Sequence, residues 1–79
     1  MITVEQMVRD MRMVNSISQS ALAKRIGVHK QMVSNFEREV CRIPLKYFST
    51  IAKVLDMDLK LMIEVRIANL STETRQYFE

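Results

Sequence analysis

Two short stretches with apolar residues at helical spacing, Gln19 to Ile26 and Lys30 to about Arg38, lie on either side of the chain's only glycine, Gly27. A glycine just past a helix takes the left-handed conformation that ends it without a Cβ clash. Two short helices joined by one sharp turn therefore form the centre around which the remaining segments must pack. In the earlier helix Leu22, Ala23 and Ile26 share one stripe, and Ser18 is placed to cap its start. With Lys30 at zero and about 100° per residue, Val33, Phe36 and Val40 fall at roughly 240 to 300° on the later helix. Lys30, Gln31, Ser34, Asn35 and Arg38 fall at roughly 0 to 140°. The apolar side reads as core.

The polar side is unusual for a solvated helix, where Glu, Lys and Arg normally dominate because they favour helix and solubility. Gln and Asn present a donor and an acceptor together, matching an adenine edge, while Lys donates to guanine and Ser serves base or phosphate. An idle polar surface is the alternative reading of the same residues.

Around this centre, Thr3 with Gln6 fits a capping box, and Val4, Met7, Val8, Met11 and Val14 recur at helical spacing, giving a first helix over about 4 to 14. A loop follows the central pair from Glu39 to Ile43. Pro44, the only proline, suits the first turn of a fourth helix carrying Leu45, Phe48, Ile51, Ala52 and Leu55 inward. From Asp58 the period changes: Leu59, Leu61, Ile63, Val65 and Ile67 alternate with Lys60, Met62, Glu64 and Arg66. Alternation predicts a half-buried strand, with helix the competing reading because Leu, Lys and Met favour it. A lone strand must pair its backbone elsewhere, and the simplest partner is the same strand of a second molecule, antiparallel across a two-fold axis. Leu59, Leu61, Ile63 and Val65 are then the dimer interface. Residues 71–79 read as a short helix or a frayed end.

At 79 residues the chain makes one domain with a thin core, so help from oligomerisation is plausible. One cysteine, Cys41, forms no intramolecular disulfide, the start lacks a signal-peptide pattern, and no apolar run approaches the ~20 residues of a membrane helix. A cytoplasmic protein is the expectation. The net charge of +3 is unevenly placed: residues 1–15 balance at zero and 47–79 carry −1. Residues 16–46 carry +4, from Lys24, Arg25, Lys30, Arg38, Arg42 and Lys46 against Glu37 and Glu39. A basic middle between neutral flanks is the footprint of a surface that meets phosphates, although a solvated basic face has the same composition. No convergent His, Cys and carboxylate set and no glycine-rich loop points to catalysis, a cofactor or a small-molecule ligand. His29 is the only histidine and Cys41 lies twelve residues away, so no metal set is expected.

The run from Gln19 to Glu37, with Leu22-Ala23, Gly27-Val28, Val33-Ser34 and the closing Glu37, resembles the helix-turn-helix of the Cro and phage-repressor superfamily, also called the XRE family. The similarity continues through Pro44 and Ile51 to Leu55, covering about residues 19–58. It implies that the second central helix lies in the major groove of double-stranded DNA with Lys30, Gln31, Ser34 and Asn35 aimed at bases. It also implies that Gln19, Arg38, Arg42 and Lys46 contact phosphates. In that family the closing Glu often pairs with an arginine of the first helix, which makes Glu37 and Arg12 the expected internal ion pair. Two positions depart from the pattern. His29 stands where a better helix cap is usual, and Asp56 stands where glycine commonly follows the fourth helix.

The alternating tail is similar to the C-terminal strand of HipB-like antitoxins, which dimerise through a small intermolecular sheet. The expected fold is mainly α: a lambda-repressor-like DNA-binding domain of four to five helices over residues 1–58, then a dimerisation strand and tail over 59–79. The function implied is a dimeric repressor of a palindromic operator. An antitoxin that neutralises a toxin protein and autoregulates its operon is the alternative.

Overall fold

The computed structural model of the chain describes the backbone of residues 2–78 and the side chains of residues 2–70. Five α-helices follow one another: α1 (Val4–Val14), α2 (Gln19–Ile26), α3 (Lys30–Glu37), α4 (Phe48–Leu55) and α5 (Leu59–Phe78). A 3-10 turn over Leu45–Tyr47 runs directly into α4.

Local chemistry sets most boundaries where the spacing predicts them. The Thr3 hydroxyl accepts from the Gln6 N–H at 3.1 Å, and the Gln6 side-chain oxygen accepts from the Thr3 N–H at 3.0 Å, which starts α1. Ser18 caps α2 by accepting from the Ala21 N–H at 3.0 Å. Gly27 ends α2 at φ 76°, ψ 35°, the left-handed conformation expected of it. Asp56 takes the equivalent place after α4 at φ 54°, ψ 50°. The turn is thus the one a glycine would make, built with a residue that tolerates the conformation at some cost.

The core gathers Val4 and Val8 of α1, Leu22, Ala23 and Ile26 of α2, Val33 and Phe36 of α3, Phe48, Ile51, Ala52 and Leu55 of α4, and Met62 of α5. Three expected members lie outside it. Val40 is exposed because α3 stops at Glu37, and Glu39, at φ 59°, turns the chain before position 40 reaches the apolar face. Leu45 is exposed because it sits in the 3-10 turn ahead of α4; Ile43, from the preceding loop, fills the core instead and is fully buried. Val14, at the last turn of α1, also faces outward.

The largest correction concerns residues 59–67. The expected strand, and with it the intermolecular sheet through Leu59, Leu61, Ile63 and Val65, is absent: these residues form the first turns of α5, and no strand occurs among the described residues. The burial pattern shows why. Met62, placed on the solvent face by the alternation, is 0 % exposed, whereas Leu59 and Leu61, placed on the buried face, are 38 % and 46 % exposed. Residues 62, 63, 65, 66 and 69 face inward, which is helical spacing. Asp58 starts the helix by accepting from the Leu61 N–H at 3.2 Å. A helix satisfies its own backbone groups, so the tail needs no second molecule to complete its hydrogen bonding. The similarity to HipB-like antitoxins rested on that strand and has no support here.

A second link closes the fold. Arg66 of α5 forms an ion pair with Glu5 of α1 and donates to the Ile43 carbonyl at 3.1 Å, while the Glu5 carboxylate accepts from the Ile43 N–H at 3.0 Å. The Arg66 guanidinium also lies 5.1 Å from the centre of the Phe48 ring. Three distant segments therefore meet at one largely buried charge pair, and no buried side-chain polar atom among the described residues lacks a hydrogen-bond partner. None of the described helices is long and apolar enough to cross a membrane.

Candidate nucleic-acid interface

The polar face of α3 is presented by an anchored helix. Val33 and Phe36 hold it from beneath, and Glu37 at its last turn is 7 % exposed. Arg12 of α1 meets that carboxylate with two parallel bonds, Nε to Oε2 at 2.7 Å and Nη2 to Oε1 at 2.8 Å, and its Nη1 donates to the Ile17 carbonyl at 2.8 Å. This is the expected ion pair. Burial acts to raise the Glu37 pKa, but the hydrogen bonds from Arg12 and Gln19 and the charges of Arg12 and Arg9 outweigh it, holding the carboxyl below its ordinary range. The hydrogen bond to Glu37 in turn raises the Arg12 pKa further. Both groups are charged at neutral pH, so α3 is tied to α1 across the start of α2.

On the outward face Lys30 and Gln31 are exposed, while Ser34 and Asn35 are half-buried. The four fall on one side of α3, as the helical wheel predicts. Asn35 Oδ1 accepts from Gln31 Nε2 at 3.0 Å and from Arg38 Nη2 at 2.8 Å. His29 occupies the cap of α3 without a side-chain hydrogen bond, in keeping with its poor capping chemistry.

The expected phosphate-contacting residues divide into two groups. Gln19, at the first residue of α2, and Arg38, just past α3, line one shallow cleft together with Ser34, Arg12 and Arg9. One amide hydrogen of Gln19 goes to Glu37 Oε1 at 3.2 Å, which leaves the other for an external acceptor. Arg42 is exposed on the loop after α3, and Lys46 lies in the 3-10 turn with Nζ 5.2 Å from the Tyr47 ring centre. Those two do not line the cleft.

Arg9, which enters the sequence pattern only through the neutral charge balance of the first fifteen positions, also reaches this cleft. It is exposed, lies one turn before Arg12 on the same face of α1, and adds a third arginine to the cleft that Arg12 and Arg38 also line. Its spacing from Arg12 was the available signal. Among the described residues no group of three or more His, Cys, Asp or Glu is placed to hold a metal ion.

Comparison with solved structures finds the same architecture. SinR, the master regulator for biofilm formation, in complex with DNA, is 26 % identical over 77 % of this chain and 98 % of that one, with a TM-score of 0.68. The P22 c2 repressor bound to synthetic operator 9T is 22 % identical over 78 % of this chain and 94 % of that one, with a TM-score of 0.70. A chain of the SinR protein/SinI protein complex matches at 23 % identity over 96 % of this chain and 75 % of that one, with a TM-score of 0.68. Comparison by sequence with curated proteins finds no match. The helix-turn-helix family model matches residues 8–61, from the second half of α1 into the first turn of α5. The chain belongs to the helix-turn-helix family of Cro/C1-type DNA-binding regulators.

Proposed function

We propose that the protein is a sequence-specific regulator of transcription that acts as a dimeric repressor on a palindromic operator in double-stranded DNA. The observation that carries this reading is the outward face of α3, where Lys30, Gln31, Ser34 and Asn35 stand on a helix fixed from behind by the Arg12–Glu37 pair. Such a helix fits the major groove, and those side chains have the donors and acceptors that base edges require. Gln19, Arg38, Arg42 and Lys46, with Arg9 added, would position it by contacts to phosphates. SinR, the most similar of these structures by identity, is itself in complex with DNA, and the P22 c2 repressor is bound to an operator.

Dimerisation has a different support from the sheet expected at first. Leu59, Ile63, Ile67 and Leu70 fall on one flank of α5, and Leu59, Ile67 and Leu70 are 38 %, 57 % and 43 % exposed. A second copy packing its α5 against this stripe would cover it and give the pair the two-fold symmetry that a palindromic operator mirrors. Half-sites would then lie about one helical turn, ~34 Å, apart.

Selection of bound duplexes from a random pool tests binding, symmetry and spacing together. The expected product is a two-fold symmetric consensus whose affinity falls log-linearly with salt. Recovery of no consensus, or an affinity indifferent to salt, would rule the repressor reading out.

A further inference from the structure

Three polar side chains on α3 and its end form one hydrogen-bonded chain. Gln31 Nε2 donates to Asn35 Oδ1 at 3.0 Å, and Arg38 Nη2 donates to the same oxygen at 2.8 Å. The spacing from 31 to 35 to 38 keeps all three on one stripe.

This chain has a direction fixed by chemistry. A guanidinium carries five N–H donors and no acceptor, so the Asn35 atom facing Arg38 must be its oxygen. The same oxygen faces Gln31, which must therefore offer its NH2 group and turn Oε1 the other way. An isolated glutamine amide flips freely, offering either end to a partner. A flipped Gln31 here would set oxygen against oxygen, and a flipped Asn35 would set donor against the donors of Arg38.

We propose that Asn35 and Arg38 are positioning residues that fix the orientation of the Gln31 amide, and that this orientation commits Gln31 to adenine. One Gln31 N–H is held by Asn35, leaving an outward acceptor, Oε1, and one further N–H. Adenine offers the complement in the major groove, a donor at N6 and an acceptor at N7, whereas guanine offers two acceptors and opposes Oε1. Asn35 keeps its own NH2 for the groove, and Arg38 keeps further N–H groups for a phosphate, so neither loses the contact proposed for it above. The inference rests on α3 reading bases.

The test compares consensus sequences selected from a random pool by the full chain and by Gln31→Ala, Asn35→Ala, Asn35→Asp and Arg38→Met. The unaltered chain should prefer adenine over guanine at one position of each half-site by on the order of tenfold. Arg38→Met should erase that preference, as Gln31→Ala does, and leave the other positions of the consensus intact, whereas Asn35→Ala should erase it together with the preference at the one base that the Asn35 NH2 itself meets. Asn35→Asp still presents an acceptor to both donors, so it should keep the adenine preference while weakening binding to every sequence. Unchanged preference in both Asn35→Ala and Arg38→Met, or an equal loss at all positions, would overturn the assignment while leaving DNA reading by α3 intact. No consensus from the unaltered chain would overturn both. A measurement without DNA separates the two: Arg38→Met should shift the side-chain amide resonances of both Asn35 and Gln31 in the free protein. An unmoved Gln31 resonance breaks the chain of orientation.

Discussion

Glu37 is 7 % exposed and keeps its charge because Arg12 meets it with two bonds and Gln19 with a third. Its pKa in the folded chain lies below the ordinary value of about 4.3. The stabilisation it provides is complete above that ordinary value and is lost as pH falls through the depressed one. Thermal melting should therefore show stability declining in acid below about pH 4.3, with Glu37→Gln flattening part of that decline while lowering stability at neutral pH. At the outward face, Gln31→Ala should relax base preference and cost about 1 to 3 kcal/mol of binding, whereas Arg42→Ala should weaken all sequences alike and reduce the salt slope by about 1. Competitive binding to matched and mismatched duplexes checks both, and equal effects on specificity would count against the assignment. The Arg12–Glu37 pair was legible because the run from Gln19 to Glu37 resembles a known helix-turn-helix. The Glu5–Arg66 pair was not, since its partners are 61 positions apart and the alternation puts Arg66 on the solvent face of a strand.

At the scale of elements, the helices whose ends are marked in the sequence emerge with the expected bounds: the Thr3–Gln6 capping box at the start of α1, Ser18 and Gly27 around α2. The failure came where two periods fit the same residues. Leu59 to Ile67 alternate, but Met62 is apolar too, so an apolar helical face through 62, 63 and 65 was equally present; Asp58, four residues before Met62, was the capping signal that decides between them. The two readings rank mutations oppositely. In the helix, Met62→Ala removes a fully buried side chain and should cost about 2 to 5 kcal/mol, while Leu61→Ala, at an exposed position, should change stability by about 0.5 kcal/mol or less. Chemical denaturation measures both; the reverse order would restore the strand. The end of α3 carries a similar lesson. A helical wheel extended to Val40 assumes the helix goes on, and Glu39 in the left-handed conformation stops it first.

For the whole molecule, the question is what the exposed flank of α5 does. Ile67→Lys places a charge in the middle of the stripe formed by Leu59, Ile63, Ile67 and Leu70, at a position that is 57 % exposed and outside the buried core. Light scattering should then report a monomer whose melting temperature is nearly unchanged, and binding to a two-site operator should weaken far more than binding to a single half-site. A dimer that survives the substitution would move the interface elsewhere. The overall arrangement of α1 to α4 could be read from apolar spacing and the two turn-forming positions, because those helices pack mainly through local hydrophobic stripes. What escaped was how the chain closes on itself, since Arg66 joins Glu5 and the loop at Ile43 through bonds that leave no periodic trace in the sequence.

That closure also gives the fold a timetable. Helix α1 leaves the ribosome well before α5, so the carboxylate of Glu5 must wait for its ion-pair partner Arg66, 61 residues later, to be added and released. Until then Ile43 and its loop have one side-chain anchor instead of two. The helix-turn-helix can collapse early around Leu22, Val33 and Ile51, but the base of α1 and the loop bearing Arg42 lock only when α5 arrives. A nascent chain halted before Arg66 should therefore be open to proteases at residues 38–44 while its central helices are already protected.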